Sequence, residues 1–200
     1  MMEERGLAID HTTIYRWVQR FAPELEKRCR LHLRSTNDSY RVDETYVKIK
    51  GKWYYLYRVV DSTGQTIDFM LSAKRDARAA KGFFRKILKA PKHQSPRVIN
   101  VDRNSTYPPA VEELKKESML PATSQLRQCK YLNNIVEQDH RFIKRRVNPG
   151  LGFFSFNTAR RTISGYEAIN MLRKGQIEGV GKGDILGQVR FVSNLFKIAV

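Results

Sequence analysis

The spacing of apolar residues along the chain changes near residue 40. Residues 3–34 follow a helical period, with a break at 6–10 and a restart at His11. From Tyr40 the period is two, and short turn sequences divide this alternating stretch. The predicted strands are 40–49, 53–60 and 65–71. This order predicts a helical segment followed by an antiparallel three-stranded meander.

The second half of the chain alternates helical and strand patterns. An apolar stripe predicts a helix over 76–90, and the apolar run 97–102 predicts a strand buried on both faces. Strand, helix and strand in this order predict a parallel right-handed crossover. The remaining predicted elements are a helix at 110–118, a weaker strand at 123–130, a helix from Asn133 or Asn134 to about Val147, and a helix at about 156–174. The predicted fold class is α/β, with a mixed five-stranded sheet flanked by helices.

The helix that restarts at His11 is open to two interpretations. Asp10 precedes it and is suited to cap its first turn. One face of the helix is polar, as in the second half of a DNA-binding helix-turn-helix, and we expect that face to contact DNA. Its residues are Thr12, Thr13, Arg16 and Gln19. The alternative is an amphipathic helix that only packs on its neighbour. The apolar positions available for that packing are Ile14, Trp17, Val18 and Phe21.

Three carboxylates lie on three predicted elements that the fold could bring together. Asp43 lies on the first strand, Asp102 ends the strand 97–102, and Glu137 lies on a later helix. Alternation places Glu44 on the face opposite Asp43, so only one of this pair can point into a shared site. Neighbouring carboxylates repel unless a cation bridges them, and oxygen ligands favour Mg²⁺ or Mn²⁺. The pattern indicates a two-metal site for phosphodiester chemistry on DNA.

Each carboxylate also has a purely local interpretation. Asp102 is suited to cap the turn that follows it, and Asp43 could be a solvated residue of an edge strand. Glu137 is favoured near a helix N-terminus by the helix dipole. For any single residue the local interpretation is the better one. The metal site is favoured because all three occur together in this order of elements.

The helix that carries Glu137 has a polar strip and a core face. At about 100° per residue, Glu137, His140 and Lys144 share the strip. We expect Lys144 to contact a phosphate near the cleaved bond, the alternative being an intrahelical ion pair or a solvated lysine. His140 is interpreted as a surface or packing residue, and Asp139 as the partner of a buried donor such as Arg146. The core face comprises Ile135, Val136, Phe142, Ile143 and Val147.

Charge and composition indicate the kind of partner. The chain has 37 Lys and Arg against 20 Asp and Glu, a formal net charge of +17. Because these basic residues are spread through core-forming segments, they favour a nucleic-acid partner over a role as a ribosomal or membrane-surface protein. No stretch is apolar enough to span a membrane and no signal peptide is evident, so we expect a cytoplasmic protein. Cys29 and Cys129 lack a Cys-x-x-Cys partner and are expected to be reduced thiols.

Four motifs carry a resemblance to a known family. They are Arg41-Val42-Asp43-Glu44-Thr45-Tyr46, Leu71-Ser72-Ala73-Lys74-Arg75-Asp76, Val98-Ile99-Asn100-Val101-Asp102, and the stretch 126–146 around Glu137. With these motifs the chain resembles the DDE transposases of bacterial insertion sequences, most closely the insertion-sequence-six family, over roughly residues 8–175. The stretch around Glu137 is highly specific. Residues 103–106 depart from the Lys-x-Pro-Ala that is commoner in the family.

The resemblance implies an RNase H-like catalytic fold in which Asp43, Asp102 and Glu137 hold two Mg²⁺ ions, with Mn²⁺ able to substitute. Lys144 matches the family's basic residue beyond the glutamate, and we expect DNA contacts from Arg141, Lys144 and Arg145. The implied reaction is cleavage at the 3′ ends of an insertion sequence and strand transfer, in replicative cointegrate-type transposition. The implied partners are double-stranded DNA, as terminal inverted repeats and target, and further copies of the chain in a synaptic homo-oligomer. Its expected place is the bacterial nucleoid.

The chain is expected to divide into three segments. These are a partial helix-turn-helix at 1–36, an RNase H-like catalytic domain at 37–175, and a Gly-rich linker with an amphipathic tail at 176–200. The run Gly179–Asp184 lacks the spacing of a nucleotide-binding loop and is interpreted as a flexible linker. Members of the family usually carry about a helix and a half more at the N-terminus, so one alternative is a truncated, inactive remnant that binds DNA. Another is a general RNase H-like nuclease.

Overall fold

The structure is a computed structural model that describes residues 6, 8–90, 92–129 and 134–198. Its elements in chain order are α1 His11–Arg30, β1 Ser39–Ile49, β2 Lys52–Asp61, β3 Thr66–Ser72, α2 Ala77–Leu88, β4 Val98–Val101, α3 Tyr107–Lys116, β5 Gln125–Gln128, α4 Asn134–Val147, α5 Phe156–Arg173 and α6 Ile185–Phe196. None of the helices described is long and apolar enough to cross a bilayer.

The elements pack as two compact units. One unit is Arg34–Phe153, and the other joins Met1–Leu33 to Phe154–Val200. This division by packing places α5 with α1, whereas the sequence assigned 156–174 to the catalytic domain. The functional division at 36/37 and 175/176 stays a prediction.

The unit Arg34–Phe153 is built on a five-stranded sheet of order β3-β2-β1-β4-β5. The strands β1, β2 and β3 form an antiparallel meander, and β4 and β5 run parallel to β1. The predicted mixed sheet is therefore confirmed. Its first reversal occurs at Lys50 and Gly51, whose φ angles of 48° and 75° are both positive. Two-residue hairpin turns use such angles because their twist matches that of the flanking strands.

Two helices pack their apolar side chains on this sheet. Asp76 caps α2 by accepting a hydrogen bond from the Ala79 N–H at 2.8 Å. The helix α3 starts at Tyr107, three residues earlier than predicted, because Pro108 and Pro109 fit a first turn that needs no N–H donors. The core that these helices share with the sheet includes Tyr40, Val42, Tyr57, Phe83, Phe84, Ile87, Ile99, Tyr107 and Leu114.

The helix α4 packs against β1 and β2. Its buried residues are Val136, His140, Ile143 and Val147. The predicted core positions Val136, Ile143 and Val147 are therefore confirmed, while Ile135 and Phe142 are only partly buried. The candidate cap Asn133 lies outside the described residues.

The unit formed by α1, α5 and α6 has a small core of its own. It comprises Cys29, Leu33, Ala168, Met171, Leu172, Ile177 and Val180. Ile177 also bridges to Leu33 and Val180 is buried, so the first residues after α5 pack on this core, while residues 181–184 of the predicted linker are exposed. The tail helix α6 docks within this unit, where Phe196 meets Phe21 edge-on at 6.0 Å between ring centroids.

Contacts of α1 correct two expectations for the predicted DNA-contacting face. Gln19 is half-buried, and its Nε2 donates a hydrogen bond to Thr162 Oγ1 at 2.8 Å, so this side chain is turned toward α5. Asp10 occupies the cap position, but its carboxylate accepts from the Thr12 hydroxyl and caps no backbone N–H. Thr12 and Arg16 are exposed, as expected. The partial helix-turn-helix is not confirmed, since most residues before Ala8 lie outside the described part of the chain.

The two cysteines are free thiols in different environments. Burial raises the pKa of Cys29 to about 12, with a further rise from the charge of Glu26. Because the thiolate is the reactive form and Cys29 stays protonated below that pH, we expect a disulfide reagent at pH 8 to modify only Cys129 in the folded protein. Unfolding in guanidinium should expose Cys29 and allow the reagent to modify it as well. Two equally fast thiols before unfolding would contradict this prediction.

Candidate active site

The sheet register brings two of the predicted acids side by side. The strands β1 and β4 are parallel neighbours in which Arg41 pairs with Asn100. Continued by two residues, this register sets Asp43 level with Asp102, on strands about 4.8 Å apart. Because β1 is the central strand, the interpretation of Asp43 as an edge-strand residue is wrong. Asp102 also makes the predicted local turn, since its Oδ1 accepts the Asn104 N–H at 3.0 Å.

All three predicted acids line one cavity of about 630 Å³. Its lining residues are Asp43, Arg75, Asp102, Arg103, Asn104, Ser105 and Glu137. Among the residues that the structure describes, no three His, Cys, Asp or Glu side chains are close enough to form a metal-binding group as they stand. The carboxylates therefore share a cavity without converging on one point within it.

A buried ion pair holds α4, and with it Glu137, against the sheet. The Arg58 side chain on β2 is 0% exposed, and its guanidinium donates a hydrogen bond to the carboxylate of Asp139, which is 8% exposed. The prediction that Asp139 pairs with a buried donor is confirmed. Glu137 lies two residues earlier in the first turn of α4 and is exposed toward the cavity.

His140 is a site residue that the sequence interpretation missed. Its side chain is buried, and its Nε2 lies 3.2 Å from Asp43 Oδ2. The available signal was its position three residues after Glu137, on the same helical strip. The residues of this strip differ in burial. Glu137 and Lys144, before and after His140 along the helix, are exposed, whereas the imidazole between them is buried.

Comparison with known proteins identifies the family. A family model described as a DDE domain matches residues 37–176. The transposase for insertion sequence-like element IS431mec of Staphylococcus aureus is 38% identical over 174 residues, which cover 87% of this chain and 75% of that protein. The chain belongs to the insertion-sequence-six family of DDE transposases. A further relative of this transposase is the one for insertion sequence element IS257 in transposon Tn4003 of the same species, at 37% identity and the same coverage.

Solved structures place the fold of this transposase among integrase catalytic cores. The HTLV-2 integrase catalytic core domain in complex with magnesium, in its dimeric form, matches with a TM-score of 0.51 at 16% identity, over 76% of this chain and 96% of that chain. The trimeric form also gives 0.51, over 74% of this chain and 93% of that chain. The predicted RNase H-like fold is confirmed.

Glu44 forms a buried network beside the cavity of the transposase. Its carboxylate accepts hydrogen bonds from the side chains of Arg75, Asn104 and Tyr107. The guanidinium of Arg75 also approaches the second acid, with Nη2 3.6 Å from Asp102 Oδ2. The acid that alternation turns away from the cavity therefore holds two residues that line it. The sequence alone did not indicate this network, because its members lie on three separate segments: Glu44 on β1, Arg75 just before α2, and Asn104 with Tyr107 around the start of α3.

The pKa values of Arg75 and Tyr107 both lie above their usual values, which preserves their hydrogen bonds to Glu44. Burial lowers the pKa of Arg75, but the charge and hydrogen bond of Glu44 outweigh this, so the pKa lies above its usual value. Burial, followed by the charge of Glu44, raises the pKa of Tyr107 well above its usual value. Arg75 therefore stays a cation and Tyr107 stays a donor throughout the physiological range.

Removing the charge of Glu44 should weaken this network measurably. We expect Glu44→Gln to destabilise the transposase by about 1.5–3 kcal/mol, the usual contribution of a hydrogen bond to a charged group. Tyr107→Phe removes one donor and leaves the carboxylate paired, so its effect should be smaller. Urea unfolding of both variants checks the order. A larger loss for Tyr107→Phe would contradict it.

The basic residues predicted to contact DNA lie outside this cavity. Arg141, Lys144 and Arg145 are all exposed on α4, and none of them is among the residues that line the cavity. Their proposed contact with DNA stays a prediction.

Proposed function

We propose that this transposase cuts the 3′ ends of an insertion sequence and joins them to target DNA, in a metal-dependent reaction of the cointegrate type. The observation that carries the proposal is that Asp43, Asp102 and Glu137, from three elements, line a single cavity. Hydrolysis by water and attack by a 3′-hydroxyl are both in-line displacements at phosphorus. Both depend on positioning and charge neutralisation, with no covalent enzyme intermediate.

The donor set of the cavity fits a hard divalent cation. All three acids offer carboxylate oxygens, the ligands that Mg²⁺ and Mn²⁺ prefer. Asp43, Asp102 and Glu137 would hold two such ions. Bound Mg²⁺ would supply charge stabilisation to the attacking and leaving oxygens.

Neighbouring side chains prepare these acids for that role. His140 holds the carboxylate of Asp43 in one orientation through its 3.2 Å contact. Glu44 holds Arg75 at the wall of the cavity, where a guanidinium is suited to contact a DNA phosphate. The buried ion pair between Arg58 and Asp139 anchors the part of α4 that carries Glu137. We propose Lys144 as a further phosphate contact on the same helix.

The proposed partners are double-stranded DNA and further copies of the chain. Transposition joins two element ends, so both ends must be held in one complex, and a homo-oligomer meets that need. We propose that the transposase acts in the bacterial nucleoid. Residues 37–176, which match the family model, would supply the chemistry.

Nicking and joining assays test the proposal. The purified chain is incubated with labelled duplexes that carry the element's ends and with a target plasmid, in Mg²⁺, Mn²⁺ or chelator. We expect nicking and joining at the element ends with either metal and none with chelator. Asp102→Asn serves as the inactive reference.

The other outcomes identify the alternatives. Nicking of any duplex without joining would indicate a general RNase H-like nuclease. Binding of the ends without nicking in either metal would indicate a DNA-binding remnant. Joining that persists in chelator would overturn the metal-dependent mechanism.

A further inference from the structure

We propose that a groove between α1 and α5 binds the phosphate backbone of double-stranded DNA through Arg16, Arg20, Arg160 and Arg161. This surface lies within one unit, separate from the cavity of the acids. The partner rests on the proposed function, whereas the anion-binding groove itself rests on the contacts described below.

The groove exists because the two helices approach closely. A Cβ built on Gly165 would lie 2.6 Å from the Cβ of Ala22, a separation that only glycine permits. Three residues earlier on both helices, Gln19 bonds to Thr162. Going from the first contact to the second moves three residues toward the N-terminus on both helices, so α1 and α5 run parallel. Their N-terminal halves, which carry the arginines, therefore lie together.

The walls of this groove are strongly basic. It has a volume of about 670 Å³ and is lined by Tyr15, Arg16, Gln19, Arg20, Pro23, Glu26, Arg160, Arg161 and Ser164. All four arginines are exposed. Within the described ranges, none of their guanidinium groups forms an ion pair or donates a hydrogen bond. The guanidinium of Arg20 lies over the Phe21 ring, 5.4 Å from its centroid.

The one carboxylate among these lining residues does not cancel that charge. Glu26 is bonded to Arg30, and its side chain is only 17% exposed. Arg28 shows the contrasting case in the same helix, since its guanidinium bonds to Glu24 at 2.6 Å. Four unpaired guanidinium groups in one groove repel one another, and an anion with several oxygens relieves that repulsion.

The remaining polar groups favour backbone contact over base recognition. The amide of Gln19, a group able to recognise adenine, donates to Thr162 inside the unit. The Ser164 hydroxyl donates to the carbonyl of Arg160 at 3.0 Å. Among the described residues the Gln19 Oε1 has no hydrogen-bond partner, but this atom is buried. The exposed groups that remain are the arginines and Tyr15, all of which suit phosphate oxygens. The groove is therefore expected to bind DNA of any sequence.

Salt dependence of DNA binding tests this groove. Anisotropy of two labelled duplexes, one with an element end and one unrelated, is measured in chelator with the full chain and with Arg160→Gln/Arg161→Gln. Each lost phosphate contact should reduce the slope of log K against log salt by about 0.9. For two lost contacts, the affinity ratio of parent to variant should shrink roughly tenfold between 50 and 200 mM salt. Both duplexes should respond alike.

A matched pair controls for net charge. Arg173→Gln/Arg190→Gln removes the same charge from exposed positions that do not line the groove, and it should leave the slope nearly unchanged. Equal effects of the two double variants would overturn the proposal, because net charge alone would then explain binding. An unchanged slope in Arg160→Gln/Arg161→Gln would also overturn it.

Folding and catalysis are separated from this result by two further measurements. Thermal melts verify that each variant is folded, and Arg16→Gln/Arg20→Gln tests the other wall of the groove if the first variant fails to fold. Because DNA binding is measured in chelator, where no metal-dependent cleavage takes place, the result tests the groove independently of catalysis. A parent chain that binds with the expected slope but never cuts would refute the proposed function alone.

Discussion

Replacing any one of the three cavity acids should abolish metal-dependent cleavage. Asp43→Asn, Asp102→Asn and Glu137→Gln keep the shape of each side chain while removing the charge that would hold a divalent cation. Loss of several kcal/mol of transition-state stabilisation corresponds to a rate lower by roughly a thousandfold or more, since each 1.36 kcal/mol is tenfold. The measurement is the single-turnover nicking rate of an element-end duplex in Mg²⁺.

Two further measurements make this result specific. Titration of the DNA-free chain with Mn²⁺, followed by electron paramagnetic resonance, should show weaker binding in each of the three variants. Glu112→Gln removes the same charge from an exposed position on α3 and should change neither the rate nor Mn²⁺ binding. DNA affinity in chelator should not fall in any of them. A variant that cuts at the parental rate would remove that residue from the proposed metal site.

Breaking the buried ion pair beneath α4 should produce the largest loss of stability. Asp139→Ala leaves the guanidinium of Arg58 buried without this carboxylate, and removing one partner of such a pair destabilises by about 3–5 kcal/mol. Urea unfolding monitored by circular dichroism measures the change. Because α4 carries Glu137 and His140, the nicking rate should fall as well, even at temperatures where the variant remains folded.

A double variant separates two contributions to the stability loss: the lost ion pair and the buried charge left without its partner. Arg58→Met/Asp139→Leu replaces both ions of this pair with apolar side chains, and it should be more stable than Asp139→Ala, which leaves the Arg58 charge buried without this carboxylate. For comparison, Glu112, whose side chain is 65% exposed, pairs with Lys115 at an N–O distance of 3.9 Å, and breaking this pair with Glu112→Gln should change stability by less than about 1 kcal/mol. Equal losses for Asp139→Ala and Glu112→Gln would show that the Arg58 pair does not anchor α4.

Local patterns in the sequence predicted most of the fold. The alternation from Tyr40 onward predicted the meander, and the turn at Lys50 and Gly51 occurs where glycine permits a positive φ. The apolar run 97–102 predicted β4, and with it the parallel neighbour that sets Asp43 level with Asp102. These predictions succeed because strand period, turn chemistry and helix capping depend on residues a few positions apart.

The choice of contacts between distant segments depended on tertiary structure. Asp139 needs a buried donor on any reading of its helix, but only the packing of α4 on β2 selects Arg58, 81 residues earlier. The sequence left His140 as a surface or packing residue, and only that packing brings it to 3.2 Å from Asp43. Glu44 is the member of the acidic pair that alternation turns away from the site, and only the tertiary structure surrounds it with Arg75, Asn104 and Tyr107.

The sequence by itself determined the family and most of the elements and predicted the three acids, because periodicity and motif spacing depend on residues a few positions apart. Tertiary structure decided which groups support those acids and turned Gln19 inward onto α5. It also joined arginines from the two ends of the chain in one groove. Such pairings follow from which faces of helices and sheet bury each other, and that is a property of the whole packed chain.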